Sequence, residues 1–158
     1  MSKDSAEDPE ALARDLVGEL FELSAAVDLV GNATASRIGI NQTDLICLNL
    51  LVRHGPMSPG QIAAALGLTT AAISAMATRL EAGGYAHREI DPNDRRRVLM
   101  HASPTGAQQA FGLFDDVFTA TMDLLASVKP QDLRKLTRLL AQFSGILTNH
   151  AAAMSKLV

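Results

Sequence analysis

The sequence predicts a mainly α-helical chain interrupted by one small β-hairpin, and three features carry that expectation. Apolar residues recur at steps of three and four over most of the 158 residues. Between Ser58 and Gly84, two such periodic stretches are joined only by Gly67-Leu68 and a pair of threonines. Directly after Gly83-Gly84, the β-compatible runs Tyr85–Ile90 and Arg97–His101 flank a turn containing Pro92, Asn93 and Asp94. Helix, tight turn, helix and hairpin in that order describe a winged helix-turn-helix, here with a small β-hairpin wing and long helices on both sides.

Each element has a local cause. Leu12, Leu16, Leu20, Leu23, Val27 and Val30 mark one face of a long first helix. Asn41 or Thr43 can cap a second, with Asp44 favourable in its first turn, running to about Arg53 before His54-Gly55-Pro56 stops it. Ser58-Pro59-Gly60-Gln61 is a capping box with proline where no donor is needed, and Gly67 ends the short helix that follows. Thr69 or Thr70 caps the next. Its buried stripe is Ile73, Met76, Ala77 and Leu80, which leaves Ala71, Ser74, Ala75 and Thr78 on or near the opposite face. Ser103-Pro104 opens a helix carrying Ala107, Ala110, Phe111, Phe114, Val117, Phe118, Leu124 and Leu125. Pro130 punctuates it before a last helix with Leu133, Leu136, Leu140, Phe143 and Leu147.

A single domain is expected over 1–158, with the winged module over about 41–102 and dimerisation helices over 8–38 and 103–155. The terminal helices hold more apolar surface than a small winged module covers, which suits a homodimer interface. With 47% hydrophobic and 20% charged residues the chain is an ordered globular one. Aromatics are only 4%, so the core is aliphatic and suits packed helices. The polar, acidic start and the lack of any apolar run near the roughly 18–20 residues of a spanning helix argue against a membrane protein. The single Cys47 excludes an intrachain disulfide framework and fits a reducing cytoplasm, the expected location.

The arrangement points to double-stranded DNA. A helix following a tight turn fits the major groove, and an arginine-tipped hairpin reaches an adjacent minor groove. The net charge of −3 looks wrong for that task. Its distribution answers the objection. Asp4, Glu7, Asp8, Glu10, Asp15, Glu19, Glu22 and Asp28 face only Lys3 and Arg14 in the leading segment, and the rest of the chain is net positive. Local charge governs phosphate contact.

Three pieces of the sequence resemble the MarR family of bacterial winged-helix transcription regulators. They are Leu66-Gly67-Leu68-Thr69-Thr70-Ala71-Ala72-Ile73, then Arg79-Leu80-Glu81-Ala82-Gly83-Gly84-Tyr85, and then Asp91-Pro92-Asn93-Asp94-Arg95-Arg96-Arg97 running through Val98-Leu99-Met100 to Ser103-Pro104-Thr105-Gly106. The resemblance covers nearly the whole chain. It implies a dimer on a pseudo-palindromic operator, a repressor's role, and a small-molecule effector that weakens DNA binding. It also implies that Asp94 pairs with Arg96 to stiffen the wing, leaving another arginine for the minor groove. One departure stands out: Ala71, Ala75 and Thr78, with Ala72 at the edge, occupy the reading face where many relatives carry longer polar side chains. Methyl contacts to thymine and readout of DNA shape are then the expected compensation.

The candidate contacts are therefore Thr69, Thr70, Ala71, Ser74, Ala75, Thr78, Arg79, Arg95, Arg96 and Arg97. Strand alternation sends Arg96 to the side opposite Arg95 and Arg97. Arg79 fits either a carboxylate partner or a phosphate. Cys47, inside Leu45-Ile46-Cys47-Leu48, reads as an inert buried thiol rather than an oxidant sensor. His54, His87, His101 and His150 show no metal-ligand spacing. No cofactor motif, phosphate loop, nucleophile elbow or paired catalytic carboxylates occur, so an enzyme is not expected. The alternative, favoured by the alanine-rich reading face, is a winged helix used for protein–protein contact.

Overall fold

A computed structural model describes residues 8–154. The elements run α1 (Pro9–Ile38), α2 (Gln42–His54), α3 (Pro59–Leu66), α4 (Thr70–Ala82), β1 (Ala86–Asp91), β2 (Asp94–Ala102), α5 (Pro104–Phe111), a 3-10 turn (Gly112–Phe114), α6 (Asp115–Ala126) and α7 (Pro130–Met154).

Side-chain caps start most of these helices. Asn41, not Thr43, caps α2, its Oδ1 accepting from the Asp44 N–H at 2.8 Å. Ser58 and Gln61 form the reciprocal box at α3, where Gln61 Oε1 accepts from the Ser58 N–H at 2.8 Å. Thr69 caps α4, accepting from the Ala72 N–H at 3.2 Å. Gly67 closes α3 at φ 65°, a left-handed conformation that a side chain would strain. The chain bends by 108° between α3 and α4, within the range of helix-turn-helix pairs.

The core lies mostly within the winged module, joined by Ala35 of α1 and Ala110 of α5. Leu48, Ile62, Ile73, Met76, Leu80 and Met100 are fully buried, drawn from α2, α3, α4 and β2. Each such side chain contributes about 1.5–3 kcal/mol of burial. β1 and β2 pair antiparallel from Ala86↔Ala102 to Ile90↔Val98. On the far edge of β2, Met100 exchanges both backbone hydrogen bonds with Met57, at 2.8 and 3.1 Å, and this ties the hairpin to the start of α3. The terminal helices are otherwise. α1 buries only Thr34 and Ala35, and neither α6 nor α7 buries a residue.

Two expectations about elements are corrected. β1 is shifted by one residue to Ala86–Asp91, and β2 is longer than expected and begins at Asp94, so the arginines belong to a strand and the turn shortens to Pro92-Asn93. The helix opened by Ser103-Pro104 is broken by the 3-10 turn at Gly112–Phe114; glycine is a weak helix former, and Asp115 and Asp116 open a fresh first turn. The last helix, α7, runs through the alanine run to Met154.

Candidate nucleic-acid interface

The outward face of α4 is the one its periodicity predicts. Ala71, Ser74, Ala75 and Thr78 are exposed, while Ile73, Met76, Ala77 and Leu80 anchor the helix to the core. Thr69 and Thr70 are also exposed at its N-terminus, where free backbone N–H groups and the helix dipole favour an anionic group. The Thr78 hydroxyl donates to the Ser74 carbonyl at 3.1 Å, which holds its methyl group in place.

Beyond α4, the wing carries its arginines on an irregularity. The ladder runs regularly to Ile90↔Val98, then shifts to Asp91↔Asp94. Arg95, Arg96 and Arg97 fall between those pairs, so the bulge breaks the simple alternation expected of them, and all three are exposed. Asp94 does not form an ion pair with Arg96. Its Oδ1 accepts from the Arg96 backbone N–H at 3.0 Å, and Asp91 Oδ1 accepts from the Asn93 N–H at 2.9 Å. These two short-range bonds shape the tip and leave the Arg96 guanidinium outside the wing's own bonding.

Two other charged pairs hold the reading head in position. Arg79 donates from Nε and Nη2 to the Asp44 carboxylate at 2.9 and 2.7 Å, a bidentate bond from α4 to α2. The Asp44 side chain is 0% exposed and that of Arg79 48%, so the pair spans the protein boundary. The hydrogen bond to Asp44 raises the Arg79 pKa above its usual value. Arg79 thus has the carboxylate partner among its two sequence readings. Arg88 of β1 pairs with Glu81 of α4, and its Nη2 also donates to the Ser74 carbonyl at 3.2 Å, fastening the wing to the helix.

Sequence reasoning allowed a carboxylate for Arg79 without naming Asp44, and it missed the Arg88–Glu81 pair. A signal for the first was present, since Asp44 shares the inward stripe of Leu48 and Leu51 and a buried carboxylate needs a cation. The register also places His87, Glu89 and His101 on one face of the hairpin, a grouping invisible in linear spacing. Cys47 is fully buried, and burial, with the nearby Asp44 charge, pushes its thiol up to about 11. Where α1 meets the winged module, Val27, Asp28, Gln42, Asn49, Phe111 and Phe114 line a crevice of about 210 Å³, and the Gln42 amide donates to Asp28 across it at 2.9 Å.

An exposed helix after a tight bend, flanked by an arginine-bearing hairpin, defines a winged helix-turn-helix protein with a reading head of nucleic-acid-binding type. Residues 38–97 match the model of the MarR family. YcgE of Bacillus subtilis, an uncharacterized HTH-type transcriptional regulator, is 32% identical over 82% of this chain and 84% of its own. A MarR family protein from Bacillus stearothermophilus superposes with a TM-score of 0.67 at 16% identity, covering 89% of this chain and 99% of that one. A mutant of S. aureus MepR bound to an oligodeoxyribonucleotide superposes with a TM-score of 0.57 at 18% identity, covering 83% and 97% of the two chains. The chain belongs to the MarR family and is a transcriptional regulator of that family.

Proposed function

We propose that this regulator is a ligand-responsive repressor that binds a pseudo-palindromic operator as a homodimer in the cytoplasm. The observation that carries the reading is the exposed α4 face standing beside the bulged Arg95–Arg97 segment. α4 enters a major groove, with Thr69 and Thr70 at the backbone and Ala71, Ser74, Ala75 and Thr78 along the base edges. A wing arginine enters the adjacent minor groove. Arg79 is half-exposed beyond its bond to Asp44 and adds positive charge at the backbone. The oligonucleotide complex of the MepR mutant supports a DNA target.

Exposed stripes on the terminal helices support the dimer. Leu16, Leu23, Val27, Phe118, Leu124 and Leu140 are each about half or more exposed in the single chain, an apolar surface larger than a monomer leaves in water. Pairing of 8–38 and 103–155 between two copies covers it and sets the two winged modules, 41–102, about one helical turn (roughly 10 bp) apart on DNA. The crevice between Asp28, Gln42, Asn49 and Phe114 is the effector site. A ligand wedged there changes the angle between the helical base and the reading head.

The test is fluorescence anisotropy with DNA from beside the protein's own gene, across a salt series. Replacing Arg95, Arg96 and Arg97 by alanine should weaken binding to every sequence and flatten the slope of log affinity against log salt by about 0.9 for each phosphate that the wing no longer neutralises. An unchanged slope would remove the wing from the interface. No binding at low salt, with a co-purifying protein instead, would favour the protein-contact reading.

A further inference from the structure

We infer that the wing carries a binding site for one late first-row divalent cation, Zn2+ being the fitting ion, built from His87 and Glu89 of β1 and His101 of β2. The hairpin register sets His87 directly opposite His101. Glu89, two residues further along β1, projects from the same face as His87. The intervening Arg88 turns to the other face, where it holds Glu81 and the Ser74 carbonyl. The three donors therefore stand together on the outer side of the wing's root, away from both the core and α4.

Their spacing is that of a coordination site before closure. One ligand atom from each residue lies within 4.8 Å of the other two. His101 Nε2 and Glu89 Oε2 are 3.6 Å apart. Donors around a tetrahedral zinc ion stand about 3.4 Å from one another, given bonds near 2.0–2.2 Å. The carboxylate–imidazole edge is thus already at ligand separation. The two imidazoles stack with centroids 5.2 Å apart and planes 22° from parallel, and His87 is exposed and free to turn toward the shared point. Among the described residues, no hydrogen bond or ion pair competes for these groups apart from the His101–Glu89 contact itself.

Donor chemistry selects the ion. Two imidazoles and one carboxylate suit zinc, copper or nickel, and not the all-oxygen preference of magnesium or calcium. Three protein ligands leave the fourth tetrahedral position to water. A bound dication ties β1 to β2 at the root of the wing and adds positive charge to the hairpin that bears Arg95–Arg97.

Zn2+ titration of the full-length, tag-free, chelator-stripped protein against a chromophoric competitor tests the site. One ion per chain is expected. His87→Ala, His101→Ala and Glu89→Gln should each lower affinity by at least about tenfold, while His54→Ala and His150→Ala leave it unchanged. Circular dichroism of each variant confirms that these surface changes leave the fold intact. Stoichiometric binding that persists in the His87→Ala/His101→Ala double variant would overturn the assignment, as would wild-type affinity no tighter than that variant's. Metal occupancy is read without DNA, so either failure leaves the operator-binding proposal standing.

Discussion

Replacing Arg79 should destabilise this protein more than replacing the carboxylate it holds. The asymmetry follows from burial: the Asp44 side chain is 0% exposed and the Arg79 side chain 48%. Arg79→Ala strands an ionised carboxylate in the interior, a change that costs about 3–5 kcal/mol where no relief is available. Water entering the space left by the guanidinium brings the expected cost to the lower end, about 3 kcal/mol. In Asp44→Asn the amide oxygen keeps one of the two bonds from Arg79, while the guanidinium nitrogen that now faces the amide NH2 turns to solvent. That loss is about 1 kcal/mol, the scale of one ordinary hydrogen bond. The gap of about 2 kcal/mol corresponds to roughly 4–8 °C in Tm for a chain of this size. Thermal unfolding followed by circular dichroism, at one protein concentration so that self-association does not move the midpoint, measures it. Adding Asp44→Asn to Arg79→Ala should raise the Tm of the single variant, because the stranded charge is gone. Equal losses for the two single variants, or no recovery in the double, would refute the reasoning.

Two other outcomes follow from the packing. Gly106→Ala should cost about 1–3 kcal/mol in urea denaturation, since a Cβ there would meet the Gly84 carbonyl oxygen and the Tyr85 Cα at 2.6 Å each; an unchanged midpoint would mean that the α5 start and the wing root do not touch. For Cys47, native protein at pH 8 should react with a disulfide reagent orders of magnitude more slowly than urea-unfolded protein, and equal rates would refute its burial. Because the folded thiol is pushed up to about 11, the stability it contributes is full below the unfolded value, near pH 8.5, and is lost as the pH climbs toward 11.

The elements were legible wherever the cause was local. Ser58, Thr69 and Ser103 sit at the helix starts their side chains cap, and the stripe of Ile73, Met76, Ala77 and Leu80 is buried as its period requires. What escaped was non-local. The partner of Arg79 lies on another helix, and whether Asp94 meets a side chain or a backbone N–H depends on the bulge, which no linear pattern announces. The grouping of His87 with His101 likewise depends on strand register, since the turn that sets it lies between them. The break at Gly112 was masked by an apolar period that continues straight through it, from Phe111 to Phe114 and on to Val117 and Phe118.

The Tyr85 hydroxyl donates to the Ile38 carbonyl at 3.0 Å, joining the foot of the hairpin to the last turn of α1. A 30-residue helix extends about 45 Å, so α1 is a lever whose short arm is clasped by that phenol. Tilting it by about 5° sweeps the remote tip through about 4 Å, on the order of one base-pair step. Events far out along the shaft and displacements at the foot of the wing are therefore geared together, with the tyrosine as the pin.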